Sequence, residues 1–283
     1  MLSPLNIALR IAFGTAIFAL IVWLTGHFPT AAGLMLTFPA LNGLAFIFSR
    51  HDTVSAITGT MLWMPLLNGV LCVIYLAAFI LLATPAYASA LAWGLAAAIA
   101  LLWLVLVTRS LVGRGVAPLL QSRYAIAVAA GGIALTFVWW HFAGNIASAD
   151  IAEGTARPAL TWLKIVLFAL AMWLLIVLPP RFHWKDGASG ILSGLPLVVL
   201  AGLLSVAQDD ASDLEVRRTL FMRMMLGVWL APAMAVAFIF GVSRALGHRR
   251  THAMRVAVVA AGWLLCFTTI IITGTALRWL SSP

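Results

Sequence analysis

The chain has 283 residues, of which 64% are apolar and 9% charged, with a mean hydropathy of +1.09 and a formal net charge of +9. Soluble globular chains carry about 45–50% apolar and about 25% charged residues, so this chain cannot bury its apolar surface in one water-bathed core and must use lipid as its solvent. A soluble enzyme, a nucleic-acid binder and a disordered adaptor are excluded. The positive charge is no nucleic-acid footprint, because most basic residues stand at the ends of apolar runs, where they anchor helices at headgroups.

Crossing the hydrocarbon takes roughly 20 apolar residues. Nine runs qualify: 5–25, 31–48, 56–84, 86–108, 123–146, 160–182, 188–207, 217–245 and 252–280. No strand-like alternation competes with them, and a lipid-facing backbone must be helical or form a closed barrel. The expected fold is all-α, a polytopic membrane bundle of about nine transmembrane helices. The first run follows Met1 with only Arg10 near its start and no small-residue cleavage pattern at its end, so it reads as a retained span rather than a signal peptide. Cys72 and Cys266 both fall inside apolar runs and support neither a disulfide framework nor a cysteine metal site. The lysines are only Lys164 and Lys185 against many arginines, and Ala is abundant, which suits a GC-rich bacterial genome.

The basic residues set the orientation. One face collects Arg10, Arg50, Arg109, Arg114, Arg123, Arg181, Lys185, Arg244, Arg249, Arg250 and Arg255. The other collects Arg157, Lys164, Arg217, Arg218, Arg223 and Arg278, with six of the eight acids. The first face is expected to be cytoplasmic, in a bacterial inner membrane, with the N-terminus inside. Arg217 and Arg218 strain this assignment, and their neighbours Asp209, Asp210, Asp213 and Glu215 soften it.

Sliding the chain on itself by 157 residues places Gly33-Leu34 on Gly190-Ile191, Pro39 on Pro196, Asp52 on Asp209 and Ser55 on Ser212. Each copy reads as a full span, a short span interrupted by Gly and Pro, a polar loop, a very long span and a fourth. The expected organisation is a first four-helix repeat over 1–108, a connector with one span over 109–159, and a second four-helix repeat over 160–283. Corresponding helices are separated by an odd number of spans, so the repeats are inverted. Inverted repeats exchange conformations around a shared site, and short broken helices point to that site. Pro39 and Pro196 each leave a carbonyl without its helical partner; a plain packing kink is the competing reading.

The stretch Gly33-Leu34-Met35-Leu36-Thr37-Phe38-Pro39, followed by Ser49-Arg50-His51-Asp52 and the long span from Ala56, resembles the GlpM-like family of small four-span bacterial inner-membrane proteins. Residues 190–223 look like a second, more divergent copy. The resemblance implies a fused, double-length, inverted pair in the cell envelope and brings no established reaction with it. Asp209-Asp210-Ala211-Ser212-Asp213, followed by Arg217-Arg218, is similar to the second Asp-rich motif of UbiA-type intramembrane prenyltransferases. In a helix, carboxylates four apart share a face and can hold Mg²⁺ against a diphosphate. The first motif of those enzymes is missing, since the matching loop offers only Asp52.

The candidate substrate-binding residues are Phe38, Pro39, Asn42, Arg50, Asp52, Pro196, Asp209 and Arg217, with a solvated loop or headgroup anchoring as the plainer role for the charges. Asp209 and Asp213 are the alternative metal ligands; otherwise neither cofactor nor catalytic residue is expected. No Asp or Glu lies mid-span, which argues against a cation-coupled antiporter built on buried carboxylates. Lys164 and Arg223 either attract an anion or snorkel. Trp139-Trp140-His141 reads as an interfacial belt, and Asn42 and Asn68 as helix–helix contacts or substrate ligands. The expected activity is an alternating-access transporter or flippase for a small anionic solute or a phosphate-headed lipid intermediate. The alternatives are a Mg²⁺-dependent prenyltransferase-like enzyme and a non-transporting subunit of an envelope assembly. Expected partners are the bilayer and the anion, with a second copy or a membrane subunit as further candidates.

Overall fold

The computed structural model describes residues 39–48, 61–112, 213–247 and 251–280, with isolated residues elsewhere, among them 58–59, 199–200, 203–204 and 207–208. Five helices lie in this part: α1 (Ala40–Phe48), α2 (Trp63–Leu82), α3 (Ala88–Val112), α4 (Leu214–Leu246) and α5 (His252–Leu280). No strand occurs among the described residues. Four of the helices, α2 to α5, are long and apolar enough to cross a membrane, so the chain is a multi-pass helical membrane protein. The remaining expected spans, the connector among them, lie outside the described residues or are touched by a few of them.

Local chemistry fixes the helix ends. Within the run 56–84, residues 58–59 and 61 are helical, and Leu62 keeps helical backbone at φ −62 and ψ −26, its N–H donating to the Thr58 carbonyl at 3.2 Å; α2 proper begins at Trp63, where the ladder lacks a rung. Pro65 supplies the reason, since it has no N–H to give the Met61 carbonyl. At its other end α2 stops at Ala83, whose ψ of 134 is extended, just before Thr84-Pro85; proline disfavours helical backbone in the residue before it. The Tyr87 hydroxyl donates to the Leu82 carbonyl at 2.6 Å and ties the turn back to α2. α4 ends on Gly247 at φ 51, a left-handed conformation that suits glycine. Thr251 then caps α5: its Oγ1 accepts the Met254 N–H at 3.4 Å.

The helices pack in the order α3–α2–α4–α5–α1. The α2–α4 seam is central and antiparallel. Ala83 of α2's end meets Arg218, Phe79 and Tyr75 meet Phe221, and Gly69 meets Pro232, so residue numbers fall along one helix as they rise along the other. The Phe221 ring takes both aromatic partners edge-on, with centroids 4.9 Å from Phe79 and 6.2 Å from Tyr75, the orientation that brings ring edge to ring face. Around it a buried core joins Leu71, Leu76, Ala96, Leu203, Met225 and Val228. Large apolar side chains of α2, α3 and α5, such as Ile74, Leu101 and Leu265, face outward. With lipid as solvent, that exposure carries no penalty.

Where helices touch, glycine lets them approach. A Cβ on Gly69 would lie 2.8 Å from Cγ of Pro232, and one on Gly262 would lie 2.8 Å from Cε2 of Phe238. Close approach at small residues is the main route to helix association in lipid, where the hydrophobic effect between helices is absent. Gly69→Ala is therefore expected to destabilise the fold by about 1–3 kcal/mol, because the rigid Pro232 ring cannot step aside. Gly94→Ala, with nothing within 4 Å of the new Cβ, is expected to be neutral or to stabilise by up to about 1 kcal/mol through helix propensity. Thermal unfolding midpoints of the two variants in detergent micelles check the contrast.

Candidate functional site

α1 is nine residues long, which makes it ~13 Å at 1.5 Å per residue, under half of a hydrocarbon core of about 30 Å. Its depth is set by α5, against which it packs antiparallel. At its C-terminal end the Phe46 carbonyl accepts a hydrogen bond from Arg255 at 3.4 Å, near the start of α5. At its N-terminal end the Pro39 carbonyl accepts one from Trp263 Nε1 at 3.2 Å. Trp263 stands eleven residues after the start of the 29-residue helix α5. α1 therefore lies along the first half of α5, its start beside Trp263 and its end beside Arg255.

Each contact of α1 has a local cause. Proline fixes φ and leads into the helix without an N–H, and its carbonyl also accepts the Gly43 N–H at 2.9 Å, the first bond of α1. Gly43 lacks the Cβ that would lie 2.5 Å from the Trp263 ring, so the indole can approach the helix closely and reach Pro39. Arg255 is buried, at 4% exposure. A cation at the C-terminal end of a helix meets both unsatisfied carbonyls and the negative end of the dipole. Asn42 is buried at 6% exposure, and its Oδ1 has no hydrogen-bond partner.

The opposite side of the bundle carries a parallel arrangement. The described residues of 199–208 are helical apart from the turn at Gln208, and Val199, Leu200, Leu203 and Ala207 join the core with α2, α3 and α4. Gln208 Nε2 donates to Ser89 Oγ at 2.8 Å, at the start of α3. Arg217 donates to the Ala207 carbonyl at 2.9 Å, as Arg255 does to Phe46. Arg218 donates to the Ala83 carbonyl at the end of α2 and pairs with Glu215 at 2.6 Å. Thus α1 lies against α5, while residues 199–208 lie against α2, α3 and α4.

The structure brings together Pro39 and Asn42, both expected at the site, at the start of α1. Arg217 stands apart from them, at the far end of the bundle with Ala207. Phe38, Arg50, Asp52, Pro196 and Asp209 lie outside the described residues. Asp213 is exposed, with φ −58 and ψ 153, so it precedes α4 in extended backbone, and the helical face expected to join it to Asp209 does not run through it. No group of three His, Cys, Asp or Glu side chains is placed to hold a metal among the described residues.

Three contributors escaped the sequence reading: Gly43, Arg255 and Trp263. Trp263 carried a usable signal, since tryptophans favour the membrane interfaces and this one lies mid-run. Trp103 carries the same signal; it is buried at 7% exposure, equal to Trp263, but its Nε1 has no partner. Comparison with known protein families, curated proteins and solved structures gives no match, so function must be argued from this geometry.

Removing the indole N–H separates the two tryptophans. Trp263→Phe is expected to cost about 0.5–1.5 kcal/mol for the lost bond to Pro39. Trp103→Phe deletes a buried donor that bonds to nothing and is expected to cost less or to stabilise. Denaturant or thermal unfolding of both variants, measured in the same micelles, gives the comparison.

Proposed function

We propose that this chain is an alternating-access transporter or flippase for a small anionic solute or a phosphate-headed lipid intermediate, built from two inverted repeats in a bacterial inner membrane with its N-terminus cytoplasmic. The observation that carries the reading is the antiparallel α2–α4 seam with its two flanks. Each hairpin, α2–α3 and α4–α5, takes a helical segment of the other half against it: α1 goes to α5, and residues within 199–208 go to α3, among others. A half-turn about an axis through the seam would exchange the two hairpins and carry α1 toward the place of 199–208, the relation expected of inverted repeats. The 157-residue self-similarity of the sequence and the double-length GlpM-like resemblance support the same division.

The chemistry follows from where α1 begins. A helix N-terminus carries roughly half a positive charge from its unsatisfied N–H groups, and in a low-dielectric layer such a charge is weakly screened. An anion brought to mid-depth finds donors there, while Arg244 and Arg255 toward one end of the bundle and Arg217 and Arg218 at the other attract it from either side. Rocking of one half against the other about the seam opens this point first to one compartment and then to the other.

Two measurements test the proposal. Single cysteines at Tyr87 and Thr251, the exposed turns of the two hairpins, are expected to react with a membrane-impermeant thiol reagent from opposite compartments; reaction from the same side eliminates the inverted arrangement. In proteoliposomes the protein is expected to accelerate movement of lactate, inorganic phosphate or a fluorescent anionic phospholipid, and Pro39→Leu to return the rate to that of protein-free vesicles. Undiminished flux in that variant would remove α1 from the mechanism.

A further inference from the structure

We infer that the start of α1, together with Asn42, binds a small carboxylate that carries a hydrogen-bond donor, hydroxyl or ammonium, on the carbon beside it. This rests on the transporter reading only for how the ligand arrives; the recognition itself is local.

Three features define the recognition. The first turn of α1 leaves backbone N–H groups without intrahelical partners, among apolar helices that offer them few acceptors. These donors attract a negative group. Asn42 is the third helical residue, and side chains on a helix lean toward its N-terminus, the direction of those same N–H groups. Its Oδ1, an acceptor, is buried and unpartnered.

The vacancy at Oδ1 has an identifiable origin. A polar side chain at the third helical position ordinarily reaches back to the backbone N–H of the capping residue. Here the capping residue is Pro39, which has no N–H, and its carbonyl is already taken by Gly43 N–H and Trp263 Nε1. Donors for an anion and an acceptor for a donor are therefore left side by side. A bare anion would satisfy the N–H groups and set its charge against Oδ1. A carboxylate with an adjacent hydroxyl or ammonium satisfies both.

The test uses full-length protein in nanodiscs and isothermal titration with a matched series: propionate, lactate (which adds a hydroxyl) and alanine (which adds an ammonium), with inorganic phosphate as a further probe. Lactate or alanine is expected to bind about tenfold more tightly than propionate, and the better of the two names the donor. Asn42→Leu is expected to abolish the preference and leave propionate binding within about twofold. Pro39→Ala keeps Asn42 and restores an N–H at the cap, so it is expected to raise the unfolding midpoint and erase the same preference. Equal affinity for all three acids, or phosphate displacing lactate, overturns the inference. Discrimination among the acids without flux in proteoliposomes upholds the site and defeats the transporter reading; flux without discrimination does the reverse.

Discussion

A helix that ends inside a bilayer strands backbone groups that lipid cannot satisfy, and each must find a donor or an acceptor within the protein. Much of the architecture follows from that requirement. α1 needs neighbours for its ends: Arg255 supplies donors for Phe46, and Trp263 supplies one for Pro39. Arg217 and Arg218 perform the same service for Ala207 and Ala83. Four side chains from the long helices thus hold short or terminal helical segments in register. Three of the four run between halves of the chain distant in sequence, so they also fix how the two hairpins sit together, while Arg217 reaches back only ten positions to Ala207.

Packing and polarity are joined at the same points. The Trp263 bond to Pro39 exists because Gly43 leaves space for the indole. The α2–α4 seam closes because Gly69 accepts Pro232, itself a residue that frees the carbonyl four positions before it in α4. Small residues therefore set more than helix spacing. They decide which polar groups can meet, and a methyl added at Gly43 would strike the ring that anchors α1.

Fold class was legible in composition alone, since no arrangement of 64% apolar residues suits water. The long runs gave α3, α4 and α5 to within a few residues, because a single strong physical requirement, length across hydrocarbon, governs them. The rung that Pro65 removes near the start of α2 does not show in hydropathy, which averages over a run and does not register one missing N–H. Pro39 and Asn42 stand out in the sequence because proline and asparagine are unusual within spans, and both fall at the start of α1. Arg255 was read as a headgroup anchor, and its bond to Phe46 depends on a partner 209 positions away, a pairing that no local pattern encodes. Phe38, Arg50, Asp52, Pro196 and Asp209 rest on the sequence argument alone.

α4 has 33 residues, hence a length of ~50 Å, while the hydrocarbon it crosses is about 30 Å thick. Such a helix must lean, bend or project, and the mismatch costs fractions of a kcal/mol per Å. Pro232 gives it a natural place to bend, and that place is where α2 crosses. Bilayer thickness thereby bears on the crossing of the central pair, since a helix longer than the hydrocarbon tilts less as the layer thickens and more as it thins.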